Sequence, residues 1–265
     1  MKVGIITGTG TYRLPGLAAE PPREVETPHG AALLTPGRTD DLEVLHVSRH
    51  GEGHPRLSNH VNHRANVWAL ADAGVDAVLA VTVCGAVDPS IPLGSLVVFD
   101  DLHFLSNRLP DGSLCTFHTE AGGRGRGHWI FDGPFSEPLR RALVDGAEAA
   151  DLPVRSGGCY GHVDGPRFNT RSEIRLLAGA GVSAVSQTAG PETVLAGEAE
   201  LPLALLGYAT DYANGVASEP TAVEDLMRLI GRSGEVFSIA LAETLPRLDE
   251  AALAPTGTMY RFEEL

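Results

Sequence analysis

Basic residues, cysteines and long apolar runs are all scarce in this chain, and each shortage closes off a class of function. Lys and Arg number 20 against 34 Asp and Glu, for a net charge of −14 over 265 residues. A surface that tracks a phosphodiester backbone needs clustered cations, so nucleic acid is not an expected partner, and any anion must be held in a local pocket. The three cysteines, Cys84, Cys115 and Cys159, are too few and too scattered for a disulfide framework or a zinc knuckle. They read as free thiols of a reducing compartment. No apolar run approaches the roughly 20 residues that cross a bilayer. The opening MKVGIITGTG passes from a short apolar stretch straight into glycines, without the apolar core and cleavage site of a signal peptide. The expectation is a soluble, cytoplasmic protein with no membrane partner.

What is present is an ordinary apolar share, 43%, divided into short runs. Strand-like segments recur at residues 2–7, 43–47, 76–83, 95–99, 154–162, 184–187 and 203–209. Several are continuously apolar, which suits strands covered on both faces. Helical periodicity lies between them, over 59–73, 136–150, 170–178, 191–200 and 221–245. This alternation predicts one α/β domain over residues 1–250. A tail follows over 251–265 that either packs on a neighbour or is loosely held. Residues 106–127, rich in Gly, Arg and Ser, read as a mobile loop.

Chemistry-bearing residues gather where these strands end. The turn Gly8-Thr9-Gly10 offers backbone N–H groups and a hydroxyl to an anion, or is simply a tight strand exit. A dinucleotide fingerprint would need a third glycine where Arg13 stands. In Arg49-His50-Gly51-Glu52-Gly53-His54, the arginine suits a bidentate grip on phosphate and the histidine a charge-assisted bond. His46, His50, His54, His60 and His63 have spacings that could serve a metal, but Gly51 and Gly53 break the helix this needs, and no paired carboxylates accompany them. Thr82-Val83-Cys84-Gly85 adds another hydroxyl and small turn, with a backbone-satisfied threonine as the plainer reading. In Asp164–Thr170, Phe168 could stack on a base and Asn169 bond its edge, although an N-capped helix behind a Gly-Pro turn needs the same residues. Asp211, in Ala-Thr-Asp-Tyr, suits a general acid if its pKa is raised, and otherwise a turn.

Each motif is weak alone, but their order is informative. G-T-G, R-H-G-x-x-H, N-x-R-A-N-x-W-A-L, T-x-C-G, G-P-R-F, T-x-x-P-E and A-T-D-Y follow one another across residues 3–245. The series resembles the methylthioadenosine phosphorylase branch of the trimeric purine nucleoside phosphorylases. That resemblance implies a single α/β domain with a mixed central β-sheet surrounded by helices, assembled as a homotrimer with active sites near subunit borders. It implies a phosphate set of Thr9, Arg49, His50, Thr82 and Thr188, with His54 beside the reacting sugar. It places Phe168 against the purine, Asp211 on N7 and the 6-amino group, and His128 in the neighbouring subunit's site. Val223 and Met227 fall where the family builds an apolar pocket for the 5′ substituent.

The implied reaction is phosphate-dependent cleavage of the N-glycosidic bond of a purine nucleoside, giving free purine and sugar 1-phosphate. Inorganic phosphate is the co-substrate, and no metal or organic cofactor is implied. Three positions depart from the resemblance: Gln187 replaces a methionine against the sugar, Ala213 replaces a second purine-binding aspartate, and, a smaller change, the family's first glycine pair is Thr7-Gly8 here. Branches that take 6-oxopurines carry glutamate at Asn169 and asparagine at Asp211, and this chain has neither. The expected substrate is therefore 5′-methylthioadenosine or a related 5′-deoxyadenosine. A 6-oxopurine nucleoside, a nucleoside with an unusual sugar, and a low-turnover nucleoside-binding homologue stand as alternatives.

Overall fold

The computed structural model describes residues 1–11, 14, 19–39 and 41–262, so Arg13 and the last three residues of the tail lie outside the described residues. In chain order the strands are β1 (Lys2–Thr7), β2 (Arg23–Thr27), β3 (Gly30–Arg38), β4 (Glu43–Ser48), β5 (Ala77–Ala86), β6 (Leu96–Val98), β7 (Asp101–His103), β8 (Gly127–Ile130), β9 (Val154–Ser156), β10 (Cys159–His162), β11 (Val182–Ser186), β12 (Leu203–Tyr212) and β13 (Thr258–Arg261). The helices are α1 (His63–Asp72), α2 (Glu137–Ala149), α3 (Arg171–Gly179), α4 (Ala189–Glu198) and α5 (Val223–Thr244). Apart from β8 and β13, which pair with each other, the strands form a mixed central sheet flanked by helices, as expected.

The continuously apolar strands β1, β5 and β12 are buried on both faces. Alternate residues of β5 serve two cores: Val78 and Ala80 pack with Ala65 and Leu70 of α1 and Leu195 of α4. Ala77, Leu79 and Val81 pack with Leu139 and Leu143 of α2 and Phe237 and Leu241 of α5. The period-two pleat thus sorts the helices into two layers.

The sheet forks at β5. On one edge β12 runs parallel along nearly its whole length. On the other edge β1 pairs only as far as Ala80, and β11 arrives antiparallel at Gly85 and Ala86. Residues 81–84 have no ladder partner on that edge among the described residues. Beyond the fork β1 leads to β4, β3 and β2, while β11 leads to β10 and β7. Opposite this gap the β12–β5 register shifts between Ala209 and Asp211, so Thr210 is an extra residue. A bulge of this kind turns the following side chain, here Asp211, away from its regular direction.

Several sequence-based boundaries move for local reasons. Residues 154–162 are two strands, because Gly157 and Gly158 take positive φ values of +91° and +141° between them. β9 joins β6, whereas β10 joins β11 and β7. The helix expected from residue 59 begins at His63, where the Asn62 side chain accepts the Ala65 N–H at 3.2 Å. At α3, Thr170 and Glu173 form a reciprocal capping box, the capped helix that the Gly-Pro turn allowed. The loop over 106–127 is anchored: Cys115 is buried, and Arg64 donates to the carbonyls of Leu114 and Thr116 at 2.7 and 2.8 Å. The tail is tied down within its own chain, where β13 pairs antiparallel with β8. Neither the β2–β3 hairpin nor the β8–β13 pair was expected, since their short polar runs carry little apolar alternation. No helix among the described residues is long and apolar enough to cross a membrane.

Gly146 of α2 tests how closely the outer layer is packed. A Cβ there would meet the Thr244 hydroxyl and lie 2.9 Å from the Thr244 backbone nitrogen. Alanine would gain about 1 kcal/mol in helix propensity, but overpacking against backbone costs about 1–3 kcal/mol. Gly146→Ala is expected to lower stability by about 1 kcal/mol, seen as a lower urea midpoint with an unchanged slope.

Candidate active site

A cavity of about 320 Å³ opens over the fork, with residues 82–85 of β5 in its floor. The sequence-predicted residues Thr9, Arg49, His50, His54, Thr82, Phe168, Asn169, Gln187, Thr188, Asp211 and Ala213 all line it. They come from six separate stretches of chain, brought together because β1, β4, β5, β11 and β12 all end at the fork.

One end of the cavity holds the cationic and hydroxyl groups. The turn after β1 closes with a Thr11 N–H to Gly8 carbonyl bond of 3.1 Å, and Gly10 takes a φ of +81° that favours glycine. Thr188 sits at the N-terminus of α4 and its side chain makes no capping bond. That terminus carries the positive end of the helix dipole. The Thr82 hydroxyl is bonded to Ser186 Oγ at 2.7 Å and to the Val83 carbonyl at 3.1 Å.

Arg49 is 1% exposed. Its Nε and Nη2 donate to the two carboxylate oxygens of Glu192, each at 2.7 Å, and Nη1 donates to the Val81 carbonyl at 2.8 Å. The fork-on-fork partner of Arg49 in this structure is Glu192. Of five guanidinium N–H groups, one on Nη1 and one on Nη2 are left for an anion. A Cβ at Gly8 would overlap Nη1, so this glycine lets the turn close over the arginine. Burial opposes ionisation of Glu192, but the Arg49 charge and the nearby His63 override it and hold the carboxyl at about 2. His63 Nδ1 lies 3.6 Å from Glu192 Oε1.

The expected role of His50 is corrected. Its Nδ1 is 2.8 Å from the Arg56 carbonyl, which can only accept, so Nδ1 carries the proton. Burial, reinforced by the Arg49 charge, lowers its pKa to about 4. At neutral pH the ring is uncharged and Nε2 is an acceptor, which removes the expected charge-assisted donation. The His54 ring stacks on it with centroids 4.2 Å apart, and burial lowers its pKa as well.

At the other end stand Phe168, Asn169, Asp211, Ala213 and Asn214. Phe168 forms an exposed lip, at 63%. Asn214 Nδ2 donates to the Asn169 carbonyl at 2.7 Å, tying two walls together. Asp211 follows the bulge and accepts from the Thr210 hydroxyl at 2.9 Å. Burial raises its pKa and the Thr210 bond only partly opposes this. Gly85 allows the carboxyl to lie close, since a Cβ there would sit 3.2 Å from Asp211 Oδ2.

Leu57, Val163, Ile174, Val185, Leu226 and Ile230 add apolar side chains to the lining. Val223 and Met227 are absent from this lining and lie 69% and 59% exposed on α5. Their neighbours Leu226 and Ile230 line the cavity, an i, i+4 pair that the periodicity of α5 could have singled out. His128 is also outside the cavity, on β8 opposite Tyr260 of β13. Ser58, Ser186 and the pairing role of Glu192 had no signal in the sequence, because their partners are distant in the chain.

The chain matches the family model described as the phosphorylase superfamily over residues 2–246. It is 34% identical over 248 residues to a probable 6-oxopurine nucleoside phosphorylase of Moorella thermoacetica, covering 93% of each chain. It is 30% identical to the S-methyl-5′-thioadenosine phosphorylase of Pyrococcus furiosus, over 94% of this chain and 93% of that one. Its fold is similar to that of methylthioadenosine phosphorylase from Schistosoma mansoni in complex with adenine. The TM-score is 0.85 at 28% identity, over 94% of this chain and 93% of that one. The chain belongs to the phosphorylase superfamily. Within it, this is an enzyme of the purine nucleoside phosphorylase type.

The Arg49–Glu192 pair generates a stability prediction. Glu192→Leu leaves a buried cation without its counter-charge and is expected to cost about 3–5 kcal/mol. Adding Arg49→Met should recover most of that loss. Urea denaturation of the parent and both variants at pH 7 measures it, and a double variant no more stable than Glu192→Leu would refute the charge account.

Proposed function

We propose that the cavity binds phosphate at Thr9, Arg49, His50, Thr82 and Thr188 and a 6-aminopurine nucleoside beside Phe168 and Asp211, and transfers the sugar from base to phosphate. The preferred substrate is 5′-methylthioadenosine or a related 5′-deoxyadenosine. One observation carries this reading: anion-type donors and a carboxyl of raised pKa stand apart in one cavity that apolar side chains also line.

The chemistry follows from that separation. As the C1′–N9 bond breaks, its electron pair passes to the purine, and Asp211 gives its proton to N7. A phosphate oxygen bonds C1′, whose oxocarbenium character the anion stabilises. Asp211 regains a proton from solvent after the base leaves. Neutral His50 accepts the O–H of hydrogen phosphate, while Arg49 and the α4 terminus face its charge. His54, against His50, stands beside the reacting sugar. Leu226 and Ile230 suit an apolar 5′ substituent. No metal or organic cofactor enters this scheme.

A 6-oxopurine nucleoside is the second reading. It is supported by the name of the Moorella relative and by Ala213, which leaves one side of the base without a polar partner. Asp211 argues for the amino form, because a 6-oxo group offers only lone pairs to a carboxylate. Nucleosides of both kinds, assayed for base release with and without phosphate, separate the readings.

The working form is proposed to be a cytoplasmic homotrimer. His128 would reach the neighbouring subunit's cavity, and exposed apolar residues such as Leu105, at 86%, would be covered in the assembly. Sedimentation at assay concentration is expected to give three copies; an active monomer would overturn this.

Asp211→Ala is expected to lower turnover by about 10²–10⁴, and by much less for bases that leave without protonation. Because the raised pKa must be that of the protonated, active form, activity should fall as pH rises through it. In Asp211→Asn that alkaline limb should vanish and preference should move toward 6-oxopurines. Parent-like turnover in Asp211→Ala would place the acid elsewhere.

A further inference from the structure

We propose that Thr7 is a positioning residue for phosphate binding, its buried hydroxyl linking His46 to the turn that carries Thr9; this rests on the phosphorylase reading above. Thr7 is one of the positions at which the chain departs from the resemblance, and His46 is a histidine that the proposed reaction does not use. Neither lines the cavity, and both are buried, at 0% and 4% exposure. The neighbouring β1 residues Val3, Ile5 and Ile6 are apolar, so a hydroxyl bonded to an imidazole at the strand end stands out against them.

The hydroxyl is engaged in two directions. Thr7 Oγ donates to the Thr11 carbonyl at 2.5 Å and lies 2.7 Å from His46 Nε2. A hydroxyl has a single proton and a carbonyl can only accept, so His46 carries its proton on Nε2 and donates. Burial, with the Arg49 charge beside it, lowers the His46 pKa to about 4, so the ring is neutral. The chain of bonds therefore runs one way, from β4 through β1 to the turn. Between Thr7 and Thr11, Gly8 and Gly10 have no side chains with which to hold the turn in place. A Cβ at Gly8 would overlap Arg49 Nη1, and one at Gly10 would lie 2.8 Å from the Ile230 carbonyl of α5. The turn is thus packed backbone-first between Arg49 and α5. The Thr7 carbonyl also accepts the Arg49 N–H at 3.0 Å, so one residue anchors both the turn and the start of the arginine. Without the hydroxyl, the Thr11 carbonyl and the His46 N–H lose their partner inside a buried region. A neutral hydrogen bond adds little net stability when made, but an unmade one forces its groups to move. Donors that converge on an anion must keep their direction, and the Thr7 hydroxyl keeps that of the turn.

The test is steady-state kinetics with phosphate varied at saturating nucleoside, and the reverse. Thr7→Val, which keeps the branched shape and removes the hydroxyl, should raise the KM for phosphate by roughly ten-fold, with kcat and the nucleoside KM within about two-fold. Thr7→Ser keeps the hydroxyl and should restore the phosphate KM to within about two-fold of the parent's. His46→Leu removes the donor, should move the phosphate KM in the same direction, and stands in if Thr7→Val does not fold. Combining the two should add little, because both break one chain of bonds. An unchanged phosphate KM, or an equal loss in kcat and both KM values, would mark a merely structural pair and overturn the proposal. Calorimetric titration with inorganic phosphate alone separates this outcome from the reading beneath it. Equal phosphate affinities in parent and Thr7→Val overturn the proposal. A parent that binds phosphate more tightly than Thr7→Val, yet releases no base with it, overturns the phosphorylase reading alone.

Discussion

Arg49 is a buried cation at the point where the central sheet divides, and its neutralisation by Glu192 organises what surrounds it. The two side chains come from residues 143 positions apart and meet in a bidentate pair with both partners nearly inaccessible. Such a pair is weak support for stability, since desolvation of both charges consumes most of their attraction. Its value is directional. Glu192, in the first turn of α4, faces the favourable end of the helix dipole and locks the guanidinium plane. Arg49 in turn bonds Val81 in the stretch of β5 that β1 has left. Neither the turn over Gly8 nor the placement of α4 can shift without exposing a charge to an apolar interior.

The fork gives the enzyme its cavity at little structural cost. Strands that stay paired to their ends would cover residues 81–84 of β5; here β1 and β11 diverge around them. The opposite edge remains continuous with β12, whose bulge at Thr210 turns Asp211 toward the opening. One strand thus carries the Thr82 hydroxyl into the opening and backs Asp211 across its other edge. Open α/β sheets collect ligands where neighbouring strands part, for the same geometric reason.

Electrostatics at the site run against the charge of the whole molecule. The chain carries −14, yet the end of the cavity proposed to take phosphate is built from a neutralised arginine, hydroxyls, a neutral histidine and a helix terminus. Burial acts in opposite senses at the two ends. It lowers the proton affinity of His50 and raises that of Asp211, because in each case the ionised form is the one that loses water.

Much of this was legible in the sequence. Apolar runs bounded by glycines located the buried strands, since a strand covered on both faces must be apolar throughout. The order of the strand-end motifs carried the family, and the polar residues at those ends carried most of the cavity lining. The cap at Thr170 was legible as well, whereas Val223 and Met227, placed by the resemblance, share the amphipathic period of Leu226 and Ile230 but lie exposed on α5. The hairpin of β2 and β3 and the β8–β13 pair escaped because half-exposed edge strands show little apolar periodicity. Only the tertiary structure decided that Arg49 belongs first to Glu192, that His50 is uncharged, and that the Thr7 hydroxyl joins His46 to Thr11. Those facts depend on burial and on partners far apart in the chain, and proton affinity and hydrogen-bond direction are properties of an environment that no single residue carries with it.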